Sequence, residues 1–259
     1  MAIKKYKRKI YSGCVLDVEV YAVNEGVKDA NDIQRKLSRP RTEEEKAAAN
    51  ERQARKRFVG NVNATFCHGG LYVTLTYDDK HLPGSYKEAE AELKKYIRKI
   101  RYKFKNAKIM AVTGYGRQSG RLHHHLIIDG VWENYIIDKW NKGKMIRVER
   151  LRAHNVYNGV DHGRDYTSLA NYLFDHAVEV KGKRWIQTKN VSQPEKEEAK
   201  EIKRNYSADK PPKTPKGYKL VNVYEGVNGF LNFKYVKIIP IKKTNRSHVI
   251  GEWGNEYGV

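Results

Sequence analysis

The chain has 259 residues, with 51 Lys and Arg against 30 Asp and Glu, and its formal net charge of +21 is far beyond what solubility requires. Such an excess calls for a densely anionic partner, and nucleic acid comes before lipid because no apolar run is long enough to span a bilayer. Cys14 and Cys67 are the only two cysteines and lack zinc-finger spacing, which excludes a disulfide scaffold and fits a reducing cytoplasm.

Hydrophobic residues at 39% and charged residues at 31% predict a modest core beneath a solvated surface, enough for one catalytic core with elaborated ends. The basic start, Ile3-Lys4-Lys5-Tyr6-Lys7-Arg8-Lys9, has no apolar run behind it, because Asp17 and Glu19 interrupt the next stretch of chain. It is expected to be a solvated or DNA-facing arm. Val15, Val18, Val20 and Ala22 then predict a first strand over about residues 10–22. Thr42-Glu43-Glu44-Glu45 is a capping box that opens an exposed helix to about Phe58, within a basic insertion over about residues 30–60.

Leu71-Tyr72-Val73-Thr74-Leu75-Thr76-Tyr77 reads as a buried strand, stopped by Asp78-Asp79 and Pro83-Gly84. Ser85-Tyr86-Lys87-Glu88 is a second capping box. Behind it Ala89, Leu93, Tyr96, Ile97, Ile100 and Phe104 recur at helical spacing, giving a helix with one face on a sheet and a basic opposite face. Residues 109–115 and 122–128 read as strands joined through a turn-rich loop, Gly116-Arg117-Gln118-Ser119-Gly120. A short helix over 132–140, a strand over 145–151 and a helix over 166–178 come next. This alternation predicts an α+β fold with a mainly antiparallel β-sheet flanked by helices. Residues 193–215 read as a linker or surface excursion, 218–224 and 229–239 as a C-terminal β-hairpin, and 251 onward as a tail. The expected organisation is a core over 1–191 and a linker with a C-terminal extension over 192–259, packing on that core.

Within Leu122-His123-His124-His125-Leu126-Ile127-Ile128, strand geometry puts His123 and His125 on one face and His124 on the other. The plain alternative is a His-rich surface strand. The apolar flanks favour a metal pair, because they hold the strand firmly enough to orient ligands. A metal in a basic protein that handles phosphodiesters would act as a Lewis acid beside a nucleophile. Tyrosine can hold the phosphoryl group covalently, but with 18 tyrosines composition does not choose among them. Tyr166 and Tyr172 share a helix, and their six-residue separation turns them about 240° apart, so they cannot both face one site. Tyr172 shares its face with Asp175 and His176, and a core aromatic with polar neighbours is the plain alternative. Arg117, Arg121, Arg164, Arg184 and Lys189 are candidate phosphate contacts for DNA binding, and Trp185, Tyr115 and Tyr157 are candidate base-stacking rings.

Three segments in this order resemble the motifs of rolling-circle replication initiator (Rep) proteins of the HUH endonuclease superfamily, the bacterial phage and plasmid type. The segments are 71–77, Gly120-Arg121-Leu122-His123-His124-His125-Leu126-Ile127-Ile128, and Tyr166-Thr167-Ser168-Leu169-Ala170-Asn171-Tyr172-Leu173. The likeness spans about residues 11–191, and Pro215-Lys216-Gly217-Tyr218-Lys219-Leu220-Val221 is similar to the group's C-terminal region. It implies a ferredoxin- or RRM-like core, Mg²⁺ or Mn²⁺ on His123 and His125, and attack by Tyr172 to leave a 5′ phosphotyrosine and a free 3′ hydroxyl. The implied substrate is single-stranded DNA at an origin hairpin, with a host replication helicase or polymerase as a further partner. Relatives often carry a metal-binding Glu where this chain has Gly114, and a Lys three residues after the tyrosine, where Asp175 stands. His176, or failing it Asp175, is therefore expected to supply the third ligand from the tyrosine helix, with Glu149 or Asp129 next in line. A transposase or relaxase with the same chemistry, and a noncatalytic single-stranded DNA or RNA binder, are the alternative readings.

Overall fold

The computed structural model describes residues 3–24, 42–116, 119–179, 183–226 and 229–239. The strand expected over 10–22 is in fact a hairpin of β1 (Ile3–Ser12) and β2 (Val15–Asn24), paired antiparallel with Ser12 opposite Val15. The chain turns at Gly13, whose φ of +60° is left-handed and whose Cβ, if present, would meet the Asn63 carbonyl oxygen at 2.2 Å. The imperfect alternation in the sequence is this turn. The basic residues expected to form an arm are therefore strand residues of β1.

Residues expected as linker also enter this sheet. β10 (Glu195–Lys196) and β11 (Lys200–Ile202) both pair with β1, while β12 (Tyr218–Glu225) and β13 (Leu231–Lys237) close the other side. The order β10-β1-β2-β13-β12 thus unites both ends of the chain. Pairing uses backbone donors and acceptors, so a charge-rich sequence does not disclose it. One face of this sheet buries Leu16, Val18, Val20, Phe233 and Tyr235. The opposite face carries Asp17, Glu19 and Lys234, in keeping with the two-residue period of strands.

The central sheet is built from β3 (Leu71–Leu75), β4 (Lys108–Tyr115), β5 (Leu122–Asp129), β6 (Ile146–Arg150) and β9 (Ile186–Gln187). Their order is β6-β3-β5-β4-β9, with every pair antiparallel. A small separate hairpin, β7 (Val156–Tyr157) with β8 (Val160–Asp161), precedes the last helix. On one face of the central sheet lie α2 (Tyr86–Lys103) and α3 (Glu133–Lys139). Leu93, Ile97 and Ile100 of α2 bury against Leu75, Ala111, Leu126 and Ile128. The Ser85 hydroxyl accepts from the Glu88 amide, but Glu88 accepts from the Gly84 amide, so only half of the expected capping box forms.

On the other face lie α1 (Glu43–Thr65) and α4 (Thr167–His176). The capping box at Thr42 closes in both directions, Glu45 N–H to Thr42 Oγ1 at 3.2 Å and Thr42 N–H to Glu45 Oε2 at 3.0 Å. The helix expected to end near Phe58 continues to Thr65, and its last turns are buried rather than exposed. Phe58 and Val62 pack with Met110, Val112, Ile127, Leu173 and Phe174. Apolar anchors are absent from the first half of α1, so its sequence conceals where it ends; burying each such side chain contributes about 1.5–3 kcal/mol. Among the described residues no helix is long and apolar enough to cross a membrane.

The polar face of the outer sheet meets α1 through Glu19, which is 1% exposed and pairs with Lys56 at 2.5 Å and with Arg8. Burial alone would raise the Glu19 pKa, but the hydrogen bonds from Lys56 and Arg8 outweigh it and hold the carboxyl below its ordinary value. A depressed folded-state pKa contributes stability above the unfolded value of about 4.5, and this is lost as pH falls through the folded value. Neighbouring Asp17 is shifted upward by burial and acts in the opposite sense. The comparison of wild type with Glu19→Gln isolates the Glu19 share. Urea unfolding at pH 7 is expected to show Glu19→Gln less stable by about 2 kcal/mol, a value discounted for partly exposed partners. The difference should shrink below pH 4.5, and a gap of constant size down to pH 3 would remove this account.

Candidate functional site

Strand β5 delivers the histidines, and the two-residue period separates them as expected. His124 turns toward α2 and α3, fully buried, with the Tyr77 hydroxyl at 2.6 Å from Nε2 and Thr113 Oγ1 at 2.8 Å from Nδ1. Burial, with smaller effects from His123 and His125, pushes its pKa down to about 3. It is a satisfied core histidine. His123 and His125 point to the α4 face, where their Nε2 atoms stand 3.0 Å apart.

Each of the two rings is held from behind. His123 Nδ1 lies 3.3 Å from the Arg121 carbonyl, which can only accept, so Nδ1 carries the proton and Nε2 offers its lone pair. His125 Nδ1 lies 2.9 Å from the Tyr72 hydroxyl and 3.1 Å from Thr74 Oγ1. Hydroxyls both donate and accept, so these two hold the His125 ring in either tautomer. Burial lowers the pKa of His123 and, together with His123 and His176, pushes that of His125 down to about 3. Both rings are therefore neutral near pH 7, the state in which imidazole binds a cation.

Helix α4 runs over this pair. Tyr172 is 44% exposed, with its ring centroid 5.6 Å from that of His125 and 4.2 Å from that of His176. The His176 centroid is 5.4 Å from that of His125 and 6.2 Å from that of His123, and its Nδ1 donates to the Tyr172 carbonyl at 3.1 Å. Among the described residues no three His, Cys, Asp or Glu side chains already stand grouped around a metal position. Two converge, and His176 borders them. Gly114 lies opposite His123 in the β4–β5 register, and a Cβ there would meet the His176 carbonyl oxygen at 2.2 Å. The end of α4 thus occupies the space a ligand side chain at position 114 would need.

The remaining candidates separate clearly. Asp175 turns to α1 and pairs with Arg55 at 2.6 Å. Glu149 stands opposite Tyr72 on β6 and pairs with Arg147 at 2.5 Å, while Asp129 lies at the far end of β5, accepting from the Gly130 amide at 2.9 Å. Tyr166 is buried, and its hydroxyl donates to the Arg152 carbonyl at 2.9 Å, which fits structure rather than chemistry. Arg121 is committed to Asp79 at 2.5 Å and to the Tyr77 carbonyl at 3.1 Å. Arg184 pairs with Glu179 at 2.6 Å and stacks over Phe174. Arg164 precedes α4 at the end opposite His176. Lys189 comes after Thr188, whose amide bonds Ile109 at the start of β4, about 16 Å along the strand from Gly114 at 3.3 Å per residue. Arg117 lies outside the described residues.

Two residues near the pair escape attention in the sequence, Tyr72 and Thr74. Their signal is the alternation of β3, which puts both on the face of His125, with Thr74 directly opposite it. Burial first, and Tyr172 and Glu149 further down, push the Tyr72 pKa up to about 12. A hydroxyl so reluctant to ionise suits holding a ring rather than attacking phosphorus.

Residues 70–175, from the start of β3 to the residue before His176, match a family of replication-associated proteins, the ORF2 type. The stretch contains His123, His125 and Tyr172, and it links the site to DNA replication. No curated protein matches. Among solved structures, the hypothetical protein ORF119 from Sulfolobus islandicus rod-shaped virus 1 is similar at 14% identity and a TM-score of 0.32. The similarity covers 50% of this chain and 97% of that one.

Proposed function

We propose that this chain initiates rolling-circle replication by cutting and rejoining single-stranded DNA through Tyr172, beside a divalent metal, Mg²⁺ or Mn²⁺. The observation that carries the reading is the convergence of two neutral imidazoles, Nε2 to Nε2 at 3.0 Å, beneath an exposed tyrosine on α4. The spacing fits an ion: an octahedral cation with ligands at about 2.1 Å holds adjacent donors about 3.0 Å apart. His123 and His125 would hold it, and His176 would complete the set. When bound, the metal would neutralise a non-bridging phosphate oxygen and align the scissile bond.

The chain's own residues do the rest. Tyr172 Oη forms a bond to phosphorus, the bond from phosphorus to the 3′ oxygen breaks, and the phenolic proton leaves to the solvent that reaches the ring. The product is a 5′ phosphotyrosine and a 3′ hydroxyl. Tyr72 and Thr74 fix the His125 ring, and α4 keeps Tyr172 within reach of both histidines. With Tyr166 turned into the core, a single nucleophile serves the site, so closure transfers the strand to a DNA 3′ hydroxyl.

Incubation with single-stranded origin-hairpin oligonucleotides and Mn²⁺ is expected to give a denaturation-resistant adduct and a polymerase-extendable 3′ end. With EDTA neither should form. An adduct of equal yield in EDTA would remove the metal, and no adduct with any oligonucleotide would leave the noncatalytic binder standing. His176→Ala should weaken Mn²⁺ binding at least about tenfold, read by calorimetry, with a matching loss of adduct. Unchanged affinity in this variant, with none in His123→Ala, would pass the third position to Glu149.

A further inference from the structure

Away from the histidine pair, an open cleft of about 1370 Å³ runs between α1, the polar face of the outer sheet and the side of α4 that carries Asn171. Arg52, Arg57 and Lys196 line it and form no ion pair among the described residues, whereas its acidic residues are largely neutralised. Glu19 is taken by Lys56 and Arg8, Glu179 by Arg184, and Asp17 has its pKa raised by burial. A cleft with unpaired cations and neutralised anions attracts phosphates.

Aromatic rings stand at its rim. Arg57 lies over Trp185 at 5.3 Å from the ring centroid, presenting a guanidinium and an indole together. Across the cleft Tyr224 and Phe230 flank Gly226 at the tip of the β12–β13 hairpin, and the Tyr224 ring is 59% exposed. Inside, Asn61 is 2% exposed, and its carboxamide oxygen, like that of Asn232, has no hydrogen-bond partner among the described residues. Buried polar groups ordinarily find partners, and base amino groups supply such donors. Cations along a groove, rings at its edge and acceptors at its floor are the parts of a single-strand channel.

We infer that this cleft binds a single-stranded segment of the DNA whose scissile phosphate lies at Tyr172, a proposal that rests on the function above. Arg52, Arg57 and Lys196 hold phosphates, and Trp185, Tyr224 and Phe230 stack bases. Asn171, next to Tyr172 in sequence, joins the cleft to the catalytic helix. Charge and stacking do not read sequence, so the cleft adds affinity and leaves choice of the nick to the catalytic face.

The test uses the full chain and fluorescein-labelled dT20, which has no origin sequence, with binding read by fluorescence anisotropy at several salt concentrations. Arg52→Gln/Arg57→Gln/Lys196→Gln is expected to lower dT20 affinity at least tenfold. It should also lessen the slope of log affinity against log salt by about 2, from three single-strand phosphate contacts at about 0.7 each. Tyr224→Ala, an exposed position, should lower affinity about tenfold with circular dichroism unchanged, which keeps the test valid if the triple variant folds poorly. Wild-type affinity and slope in both would overturn the inference, as would equal or tighter binding of a 20-base-pair duplex or of U20 RNA to the wild type. A wild type that binds dT20 through these residues but forms no adduct with any origin oligonucleotide would sink the proposed function and leave the cleft in place as a binding channel. A chain that forms the adduct while the cleft variants bind normally would do the reverse.

Discussion

Tyr172→Phe is expected to lose the covalent DNA adduct by at least about a thousandfold while binding the same oligonucleotide as tightly as wild type. The substitution removes one oxygen from a ring that is 44% exposed, so the packing of α4 through Leu173 and Phe174 is untouched. Stability should change by less than about 0.5 kcal/mol, as for surface substitutions away from special features. No other phenol among the described residues near the pair is placed to substitute for it. Tyr166 points into the core, and Tyr72, although in contact with His125, has its pKa pushed up to about 12 by burial. The measurement is a denaturing gel of labelled oligonucleotide with Mn²⁺, beside anisotropy on the same samples. An adduct that persists in Tyr172→Phe would move the nucleophile to Tyr72, and Tyr72→Phe would then have to abolish it.

The catalytic face is more legible in the sequence than the frame that supports it. His123, His124 and His125 sort themselves by strand period alone, and the stripe through Tyr172 and His176 emerges from helical spacing. Both are local patterns. What the sequence conceals is non-local: that β1 turns at Gly13 to pack on Asn63, that residues 195–202 pair back onto β1, and that β13 lies beside β2. Backbone pairing carries little side-chain signature when the strands are short or charged, and the expected linker is of this kind. Arg121 and Lys189 show the same limit from the other side. Nearness in sequence suggests phosphate contacts, yet Arg121 is committed to Asp79, and Lys189 sits beside Asn190 near the start of β4, away from the histidines. In the sequence the cleft cations Arg52 and Arg57 stand out only as part of a generally basic helix, because their partner surface comes from the far end of the chain.

Gly114 decides whether β4 and the catalytic helix can share one site, and Gly114→Ala is expected to be costly both to the fold and to the chemistry. The added Cβ would stand 2.2 Å from the His176 carbonyl oxygen and 3.2 Å from its carbon, contacts with backbone that no rotamer change can relieve. The adjoining segment is also tied down, since the Val178 amide donates to the Thr113 carbonyl at 3.0 Å. Either β4 or the end of α4 must shift. Overpacking of this kind costs about 1–3 kcal/mol, which for a chain of this size corresponds to a fall in Tm of roughly 3–10 °C. The larger effect falls on the site, because displacing α4 by about 1 Å moves Tyr172 and His176 together and lowers adduct formation by about a hundredfold. Gly114→Glu restores the side chain type often found in relatives at this position, yet it should fare no better, since its Cβ meets the same carbonyl. Adding His176→Ala should not rescue it either, because the obstruction is main chain and the alanine removes only the imidazole. Thermal unfolding and adduct yield across these variants separate the possibilities. Gly114→Ala with wild-type Tm and yield would mean that α4 does not seat on β4 as described. A Gly114→Glu/His176→Ala protein more active than either single variant would show that a carboxylate at 114 can take the third position, and that His176 holds it by substitution rather than by geometry.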